Sequence, residues 1–173
     1  MEPFVCTKTR ECERNNPFGV SEGDSFSWDN VDLSVEIPNK KTGKCYPGID
    51  DLEGDMLVAF KTFQDGMNAA IWLLYDLYFS KGINTPRAIY NDWSGDTEAK
   101  AQAENRLDNG SKVSQIMGID GDTKLNFVLI EIMALSKAML RFEDSTAVFN
   151  SDLINIPAEM YQTAITYAES PED

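Results

Sequence analysis

The sequence contains no histidine and only three cysteines, Cys6, Cys12 and Cys45, which lack the close paired spacing of zinc ligands. We therefore expect no metal centre and no bound cofactor. Residues 120–122, Asp-Gly-Asp, are similar to the start of a calcium loop, but the other ligand positions and the closing glutamate of that pattern are missing. A turn that leads into a helix is the better interpretation of this segment.

Two further absences concern where the chain is made. An odd number of cysteines cannot all pair within one chain, and the first residues lack the basic and apolar regions of a secretory signal. Both features are typical of a protein made in a reducing compartment. We therefore expect synthesis in the cytoplasm, three free thiols and no intrachain disulfide.

Basic residues and long apolar runs are also scarce. Lys and Arg total 15 against 29 Asp and Glu, and the net charge of −14 repels a phosphate backbone, which argues against a nucleic-acid partner. The longest apolar stretch, residues 69–79, is interrupted by Asp76 and is far shorter than the ~20 residues that cross a membrane. We expect no membrane span.

With 173 residues, 42% of them hydrophobic, the chain has the size and apolar content of one domain. We expect residues 1–173 to form that domain, with a disordered polar tail at 169–173. Between Val31 and Ile37 apolar residues alternate with polar ones, and residues 39–43 follow as a turn. This pattern predicts a small β-hairpin.

The rest of the chain has mainly the 3.6-residue period of helices, so we predict a mainly α (α+β) fold. Helices are expected over residues 65–81, 86–94, 97–107, up to 117, 122–143 and after Pro157. Asp65 and Asp96 are the expected N-caps of the first and third. The helices 65–81 and 122–143 are the most apolar, so we expect them to pack together through side chains such as Leu74 and Ile130.

Several segments follow, in order, the motifs of one known family. Residues 10–19, Arg-Glu-Cys-Glu-Arg-Asn-Asn-Pro-Phe-Gly, are similar to its Arg-x-x-Arg-Asn-Asn-Asn-Pro-x-Asn, with Arg14 and Gly19 in place of the first and last asparagine. Residues 82–93 give the closest match, Gly-Ile-Asn-Thr-Pro-Arg followed by Asp-Trp, and residues 60–69, 95–97, 117–120 and 138–143 match further motifs. The chain from 10 to 143 thus resembles the lysozyme-like, peptidoglycan-degrading virion proteins of bacteriophages.

This resemblance implies a lysozyme-like helical domain that cleaves the glycan strands of peptidoglycan, either as a hydrolase or as a lytic transglycosylase. Such folds hold a catalytic glutamate at the carboxyl end of a long helix, and Glu143 matches that position. A general acid must stay protonated near neutral pH, so a catalytic Glu143 is expected to be partly buried in a cleft. The alternative is a solvated residue at a helix end.

Two other carboxylates and two asparagines lie around the first motif. Glu13, and after it Glu11, are weaker candidates for a second catalytic carboxylate, and both could instead form a charged loop with the neighbouring arginines. Asn15 and Asn16 carry donors and acceptors that suit N-acetyl groups and hydroxyls of a substrate. Asn-Asn-Pro is also an ordinary turn, so a purely structural role stays open.

Three tryptophans could stack on sugar rings. Trp72 lies in the apolar run and is expected in the core, whereas Trp28 and Trp93 are candidates for substrate binding.

Three hypotheses about function follow. The first is a virion enzyme, made in the host cytoplasm, that cleaves peptidoglycan at the host cell wall. The second is a catalytically inactive virion structural protein that keeps the lysozyme-like shape, which the departures at Arg14 and Gly19 and the strong negative charge favour. The third is a small adaptor or inhibitor whose acidic surface binds a basic partner. In the first two, peptidoglycan or other virion proteins are the expected partners.

Overall fold

Helices predominate in the computed structural model of the chain, which describes residues 4, 6, 9–22, 28–143 and 151–170, so the prediction of a mainly α (α+β) fold is confirmed. The elements of this part of the chain are α1 (Arg10–Glu13), β1 (Glu36–Ile37), β2 (Ile49–Asp50), β3 (Leu57–Val58), α2 (Phe63–Tyr75), a π-helical segment (Asp76–Ser80), α3 (Pro86–Ser94), α4 (Glu98–Ala103), α5 (Asn109–Met117), α6 (Leu129–Glu143), α7 (Ser151–Ile154) and α8 (Ala158–Glu169). None of the described helices is both long and apolar enough to cross a bilayer.

A disulfide fixes the start of α1. Cys6 and Cys12 are bonded to each other, so the prediction of three free thiols is wrong, while Cys45 is an exposed free thiol. Thr9 caps the helix, because its side chain accepts a hydrogen bond from the backbone N–H of Cys12. With three cysteines the thiols cannot all be paired within one chain, but one disulfide between two of them is possible.

The three short strands form one small sheet in the order β1-β2-β3, with β1 parallel and β3 antiparallel to β2. The predicted turn at residues 39–43 is present, since the side-chain oxygen of Asn39 accepts from the N–H groups of Lys41 and Thr42. Its two flanks run in the same direction, however, so the hairpin is formed by β2 and β3 instead. Leu33 is 67% exposed, which explains why the alternating pattern did not mark a buried strand.

An ion-pair cluster joins α1 to β2. The buried carboxylate of Asp50 accepts hydrogen bonds from Nε and Nη2 of Arg10 and from Nε of Arg14, at 2.8–2.9 Å, and Arg10 also pairs with Asp55. Burial by itself raises the pKa of Asp50, but the hydrogen bonds from the two arginines outweigh it and lower the pKa from 3.8 to about 2. Arg14 therefore has a structural partner at the position where it departs from the asparagine motif.

This cluster predicts a specific loss of stability in acid. Because the pKa of Asp50 is lower in the folded than in the unfolded chain, its stabilisation is present above pH ~4 and is lost as the pH falls toward 2. The difference in free energy of unfolding between the parent and Asp50→Asn should shrink by about 1–2 kcal/mol between pH 6 and pH 2, measured by urea unfolding. A difference that does not change over this range would contradict the assignment.

The helix α2 begins earlier than predicted because Thr62, and not Asp65, is its N-cap. The Thr62 hydroxyl accepts from the N–H of Asp65, and the Asp65 carboxylate accepts from the N–H of Thr62, which is the reciprocal capping box. After Tyr75 the helix continues as the π-helical segment to Ser80. The side chains of Met67, Ala70, Ile71, Leu74 and Leu77 are buried and form its inner face.

The helices α3 and α5 pack closely, and α4 connects them. Asp96 was the predicted cap of α4, but Thr97 caps it, because the Asp96 carboxylate instead binds Nη1 and Nη2 of Arg106 and the N–H of Asn109. The helix predicted over residues 97–107 ends earlier, at Ala103, and α5 begins at Asn109. Gly110 permits the close packing, since a Cβ there would meet the backbone of Arg87 in α3.

The predicted pairing of α2 with the long helix α6 is wrong. The main partner of α2 is α8, and α6 packs chiefly against α5 and α8. Leu74 is buried as expected, but Ile130 is 78% exposed in the first turn of α6, which begins only at Leu129. The predicted final helix is present as α8 and ends at Glu169, whereas the rest of the expected disordered tail, residues 171–173, lies outside the described residues.

Candidate functional site

A cleft of about 280 Å³ opens at the place where the end of the asparagine motif meets α2 and α3. We call it the tryptophan cleft, because two of the three tryptophans line it. Its lining residues come from four segments: Gly19, Val20, Ser21, Glu22, Trp28, Leu73, Asp76, Leu77, Lys81, Asp92 and Trp93. Its size is close to that of small-molecule sites in proteins.

The two candidate tryptophans are brought to this cleft by different elements. Trp28 is half-buried, and its ring packs edge-to-face against Trp72, with centroids 6.1 Å apart, and against Phe60 at 6.5 Å. Trp93 is half-buried in the last turn of α3, a helix that ends at Gly95 in the left-handed conformation. Both rings are therefore held by the fold while part of each stays accessible to a ligand.

Three carboxylates and one ammonium group line the same cleft. Glu22 and Asp92 are exposed, and Asp76 is half-buried at the start of the π-helical segment, which ends just before Lys81. Within the described part of the chain, none of these four side chains forms an ion pair or a side-chain hydrogen bond. Their donors and acceptors are thus available for the hydroxyl and amide groups of a ligand.

Asn16 supports one wall of the cleft from inside the core. Its side chain is fully buried, donates to the carbonyl groups of Val20 and Val58, and accepts from the N–H of Val20, all at 2.8 Å. These three bonds use both N–H donors of the amide and one acceptor position of its oxygen, and they hold residues 16–20 as a turn. The side chain stabilises the cleft wall and does not face the cleft.

Asn15 has a similar structural environment. It adopts the left-handed backbone conformation at φ 54°, and its side-chain nitrogen donates to the carbonyl groups of Phe60 and Lys61 at 3.1 and 3.2 Å. It is absent from the lining of the tryptophan cleft. The asparagine motif therefore builds the loop that carries Gly19 to Glu22 to the cleft.

Glu143 closes α6 on an exposed surface, and it too is absent from the lining of the cleft. Its carboxylate accepts a hydrogen bond from the hydroxyl of Tyr90 in α3 at 3.3 Å. Burial raises the pKa of Tyr90, and the neighbouring Glu143 carboxylate raises it further, so the phenol stays protonated and donates. The ring of Phe142 packs against Tyr90 at 5.3 Å, which fixes this helix end against α3.

The other two candidate carboxylates lie on α1. Glu13 is exposed, with its carboxylate 3.8 Å from Nη2 of Arg14, and Glu11 is half-buried in the first turn. Neither lines the tryptophan cleft. The structure therefore brings together Trp28 and Trp93, but it does not bring Glu143, Glu13, Asn15 or Asn16 to the surface that these rings share.

The sequence interpretation missed the polar residues of the cleft. Asp92 immediately precedes Trp93 in the segment that best matches the family motifs, and Glu22 follows three residues after Gly19, so both lie beside residues of the motifs. Asp76 could be taken only as an interruption of an apolar run. No group of three potential metal-binding side chains occurs among the described residues.

Comparison with known proteins gives no family for the chain. No family model matches it, and no curated protein matches it either.

Proposed function

We propose that this protein binds the glycan strands of bacterial peptidoglycan in the tryptophan cleft and cleaves them as part of a bacteriophage particle. The observation that supports this proposal most directly is that Trp28 and Trp93, from distant parts of the chain, line one cleft together with polar side chains that have no partner in the described structure. The resemblance of residues 10–143 to virion proteins that degrade peptidoglycan points to the same ligand.

The chemistry of the cleft suits a neutral sugar polymer. The apolar face of a sugar ring can pack on a tryptophan ring, and its hydroxyl and N-acetyl groups can bond to carboxylates at the edge. Lys81 can donate to a sugar oxygen or pair with the carboxylates of the peptide stems. A polyanion without sugar rings is a poor alternative, because Glu22, Asp76 and Asp92 would repel it.

The second candidate function is a virion structural protein that binds peptidoglycan without cleaving it. The exposed position of Glu143 favours this candidate, because a general acid needs a shielded environment and the carboxylate binds Tyr90 at the surface. Binding is common to both candidates, so it is the property to test first.

Trp93→Ala is expected to weaken binding to purified peptidoglycan sacculi about tenfold, because it removes one aromatic surface for a sugar ring. Trp93 is half-buried at the edge of the core, so the folding of the variant is checked by thermal melting. Binding is measured by co-sedimentation over a range of sacculus concentrations. The matched control is Phe79→Ala, which also removes a partly exposed ring. Phe79 packs against Tyr75, Tyr78 and Phe127 and does not line the cleft.

Equal binding by the parent and Trp93→Ala, or an equal loss in both variants, would reject the tryptophan cleft as the glycan site. No sedimentation of the folded parent with sacculi from several bacteria would reject peptidoglycan as the ligand.

A further inference from the structure

The disulfide between Cys6 and Cys12 attaches α1 to a neighbouring part of the core. Cys12 is 3% exposed in α1, whereas Cys6 is half-buried and packs at the edge of the core. Two positions before Cys6, the ring of Phe4 packs against Phe63 of α2, with centroids 5.0 Å apart. The disulfide therefore joins α1 to residues that are themselves in contact with α2.

The helix α1 supports the asparagine motif at its carboxyl end. The N–H of Asn15 donates to the carbonyl of Cys12 at 3.1 Å. The N–H of Asn16 donates to the carbonyl of Glu11 at 2.8 Å. The side chain of Asn16 in turn bonds to the backbone of Val20, which lines the tryptophan cleft. A change in the position of α1 is therefore transmitted through hydrogen bonds to the wall of the cleft.

The position of α1 depends on contacts outside the helix. With four residues it is too short to be stable by itself. Its supports include the Thr9 cap, the disulfide, and the ion pairs of Arg10 and Arg14 with Asp50. Of these supports, only the disulfide responds to redox conditions.

We infer that the Cys6–Cys12 disulfide is a redox switch that controls the order of α1 and the asparagine motif, and through them the affinity of the tryptophan cleft for its ligand. In a reducing compartment the two thiols are free, the motif is less ordered and binding is weak. In an oxidising environment the disulfide orders the motif and binding is strong. The effect on binding rests on the proposed function, whereas the effect on local order does not.

Two features make this disulfide reducible while the chain stays folded. Cys6 is half-buried and Cys12 is buried, so a small thiol approaches the bond from the side of Cys6. The two cysteines are also only six positions apart. A bridge that closes so short a loop restricts the unfolded chain less than a long-range bridge does, so its loss costs less stability.

The reaction is thiol–disulfide exchange with a small thiol such as glutathione. A glutathione thiolate attacks Sγ of Cys6, the bond between the two protein sulfurs breaks, and its electron pair leaves on Sγ of Cys12, which takes up a proton. A second glutathione thiolate attacks the glutathione sulfur of the mixed disulfide and releases Cys6 as a thiol. Two glutathiones thus give two electrons and two protons to the pair and become one glutathione disulfide, which drives the reverse reaction in an oxidising environment.

The third cysteine is a poor competitor in this exchange. The S–H group of Cys45 donates to the carboxylate of Glu36, with 3.5 Å between Sγ and Oε1. Partial desolvation and this carboxylate raise the pKa of the Cys45 thiol, and a protonated thiol is a weak nucleophile. Cys45→Ser is therefore a control that removes the free thiol and keeps the switch.

The first test follows the redox state and the local order of the parent, Cys45→Ser and Cys6→Ser. In a buffer of mainly reduced glutathione, thiol counting after denaturation should rise from one to three in the parent. Hydrogen exchange at the N–H groups of Asn15 and Asn16 should become at least ~tenfold faster on reduction. The N–H of Ile132 in α6, which donates to the carbonyl of Val128, should exchange at the same rate in both states.

Cys6→Ser should exchange like the reduced parent whether the buffer is reducing or oxidising, and Cys45→Ser should respond like the parent. Thermal melting shows whether Cys6→Ser is folded. If it is not, the reduced Cys45→Ser protein takes its place as the form without the disulfide.

The second test measures binding to peptidoglycan sacculi by co-sedimentation in the same buffers. Reduction should weaken binding of the parent and of Cys45→Ser several-fold, and glutathione disulfide should restore it. Cys6→Ser should bind weakly in both buffers.

The outcomes separate the switch from the proposed function. A disulfide that stays intact in reduced glutathione, equal exchange in both redox states, or unfolding of the whole chain on reduction would each overturn the switch. Binding that is equal in both states, despite faster exchange at Asn15 and Asn16, would overturn the control of the cleft. A parent that binds no sacculi in either state overturns the proposed function, and the exchange measurement then still decides whether the disulfide controls the order of the motif.

Discussion

Asn16→Ala should lower the free energy of unfolding by about 3 kcal/mol, even though the residue belongs to a motif that suggests substrate contact. The substitution removes three hydrogen bonds inside the protein. The carbonyl of Val58 and the N–H of Val20 lose their side-chain partner, while the carbonyl of Val20 keeps the bond from the N–H of Val58. Because the side chain is fully buried, no water replaces these bonds without rearrangement of the loop.

Urea unfolding measures this loss, with Asn126→Ala as the matched control. Asn126 is exposed, and its side chain makes no hydrogen bond in the described structure, so its replacement should change stability by no more than about 0.5 kcal/mol. If Asn16→Ala unfolds like the parent but binds peptidoglycan poorly, the structural role is wrong and Asn16 belongs to the binding surface.

Helix ends with strong local signals could be predicted from the sequence. Thr85-Pro86 begins α3, Gly95 ends it and Gly118 ends α5, because a cap followed by proline and a glycine in the left-handed conformation act through their own backbone. These signals do not depend on the rest of the fold. Pro157 directly precedes α8, although no side chain caps that helix.

Caps with two neighbouring candidates could not be assigned correctly. Thr62 and Asp65 both suit an N-cap, as do Asp96 and Thr97, and the choice depends on partners elsewhere. Asp96 is bound by Arg106, ten residues further along the chain, which leaves Thr97 to cap α4. A sequence pattern does not show which of two nearby acceptor side chains will bind a donor from a distant part of the chain.

The sequence pattern also could not predict which helices pack against each other. An apolar face shows that a helix needs partners, but several partners satisfy that need, and α8 takes the place on α2 that was expected for α6. The sequence could likewise indicate Trp28 and Trp93 as separate candidates for ligand binding. It could not indicate that they share a cleft with Glu22 and Asp76, because that arrangement depends on long-range packing.

Gly66→Ala should destabilise the protein by about 3 kcal/mol, although alanine normally stabilises a helix interior by about 1 kcal/mol relative to glycine. A Cβ at Gly66 in α2 would collide with the carbonyl group of Asn15. The backbone at Asn15 and Asn16 cannot easily move away, because the N–H groups of these two residues donate to the carbonyl groups of Cys12 and Glu11, respectively. The contact therefore decides how closely the loop that supports the tryptophan cleft lies on α2.

The matched control for this substitution is Gly121→Ala. Gly121 is also buried, but a Cβ there would first meet side-chain atoms of Arg87 and Ser114 at 3.1 Å, a much smaller overlap than the one with backbone at Gly66. Its cost should therefore stay near 1 kcal/mol in the same urea experiment. If the two variants are equally stable, the backbone of the asparagine motif has room to move at Gly66. A second outcome is that Gly66→Ala is strongly destabilised while Gly121→Ala is not, and that it also binds sacculi less tightly under conditions in which it is folded. Such a result would show that the packing of residues 15–22 against α2 controls the shape of the cleft.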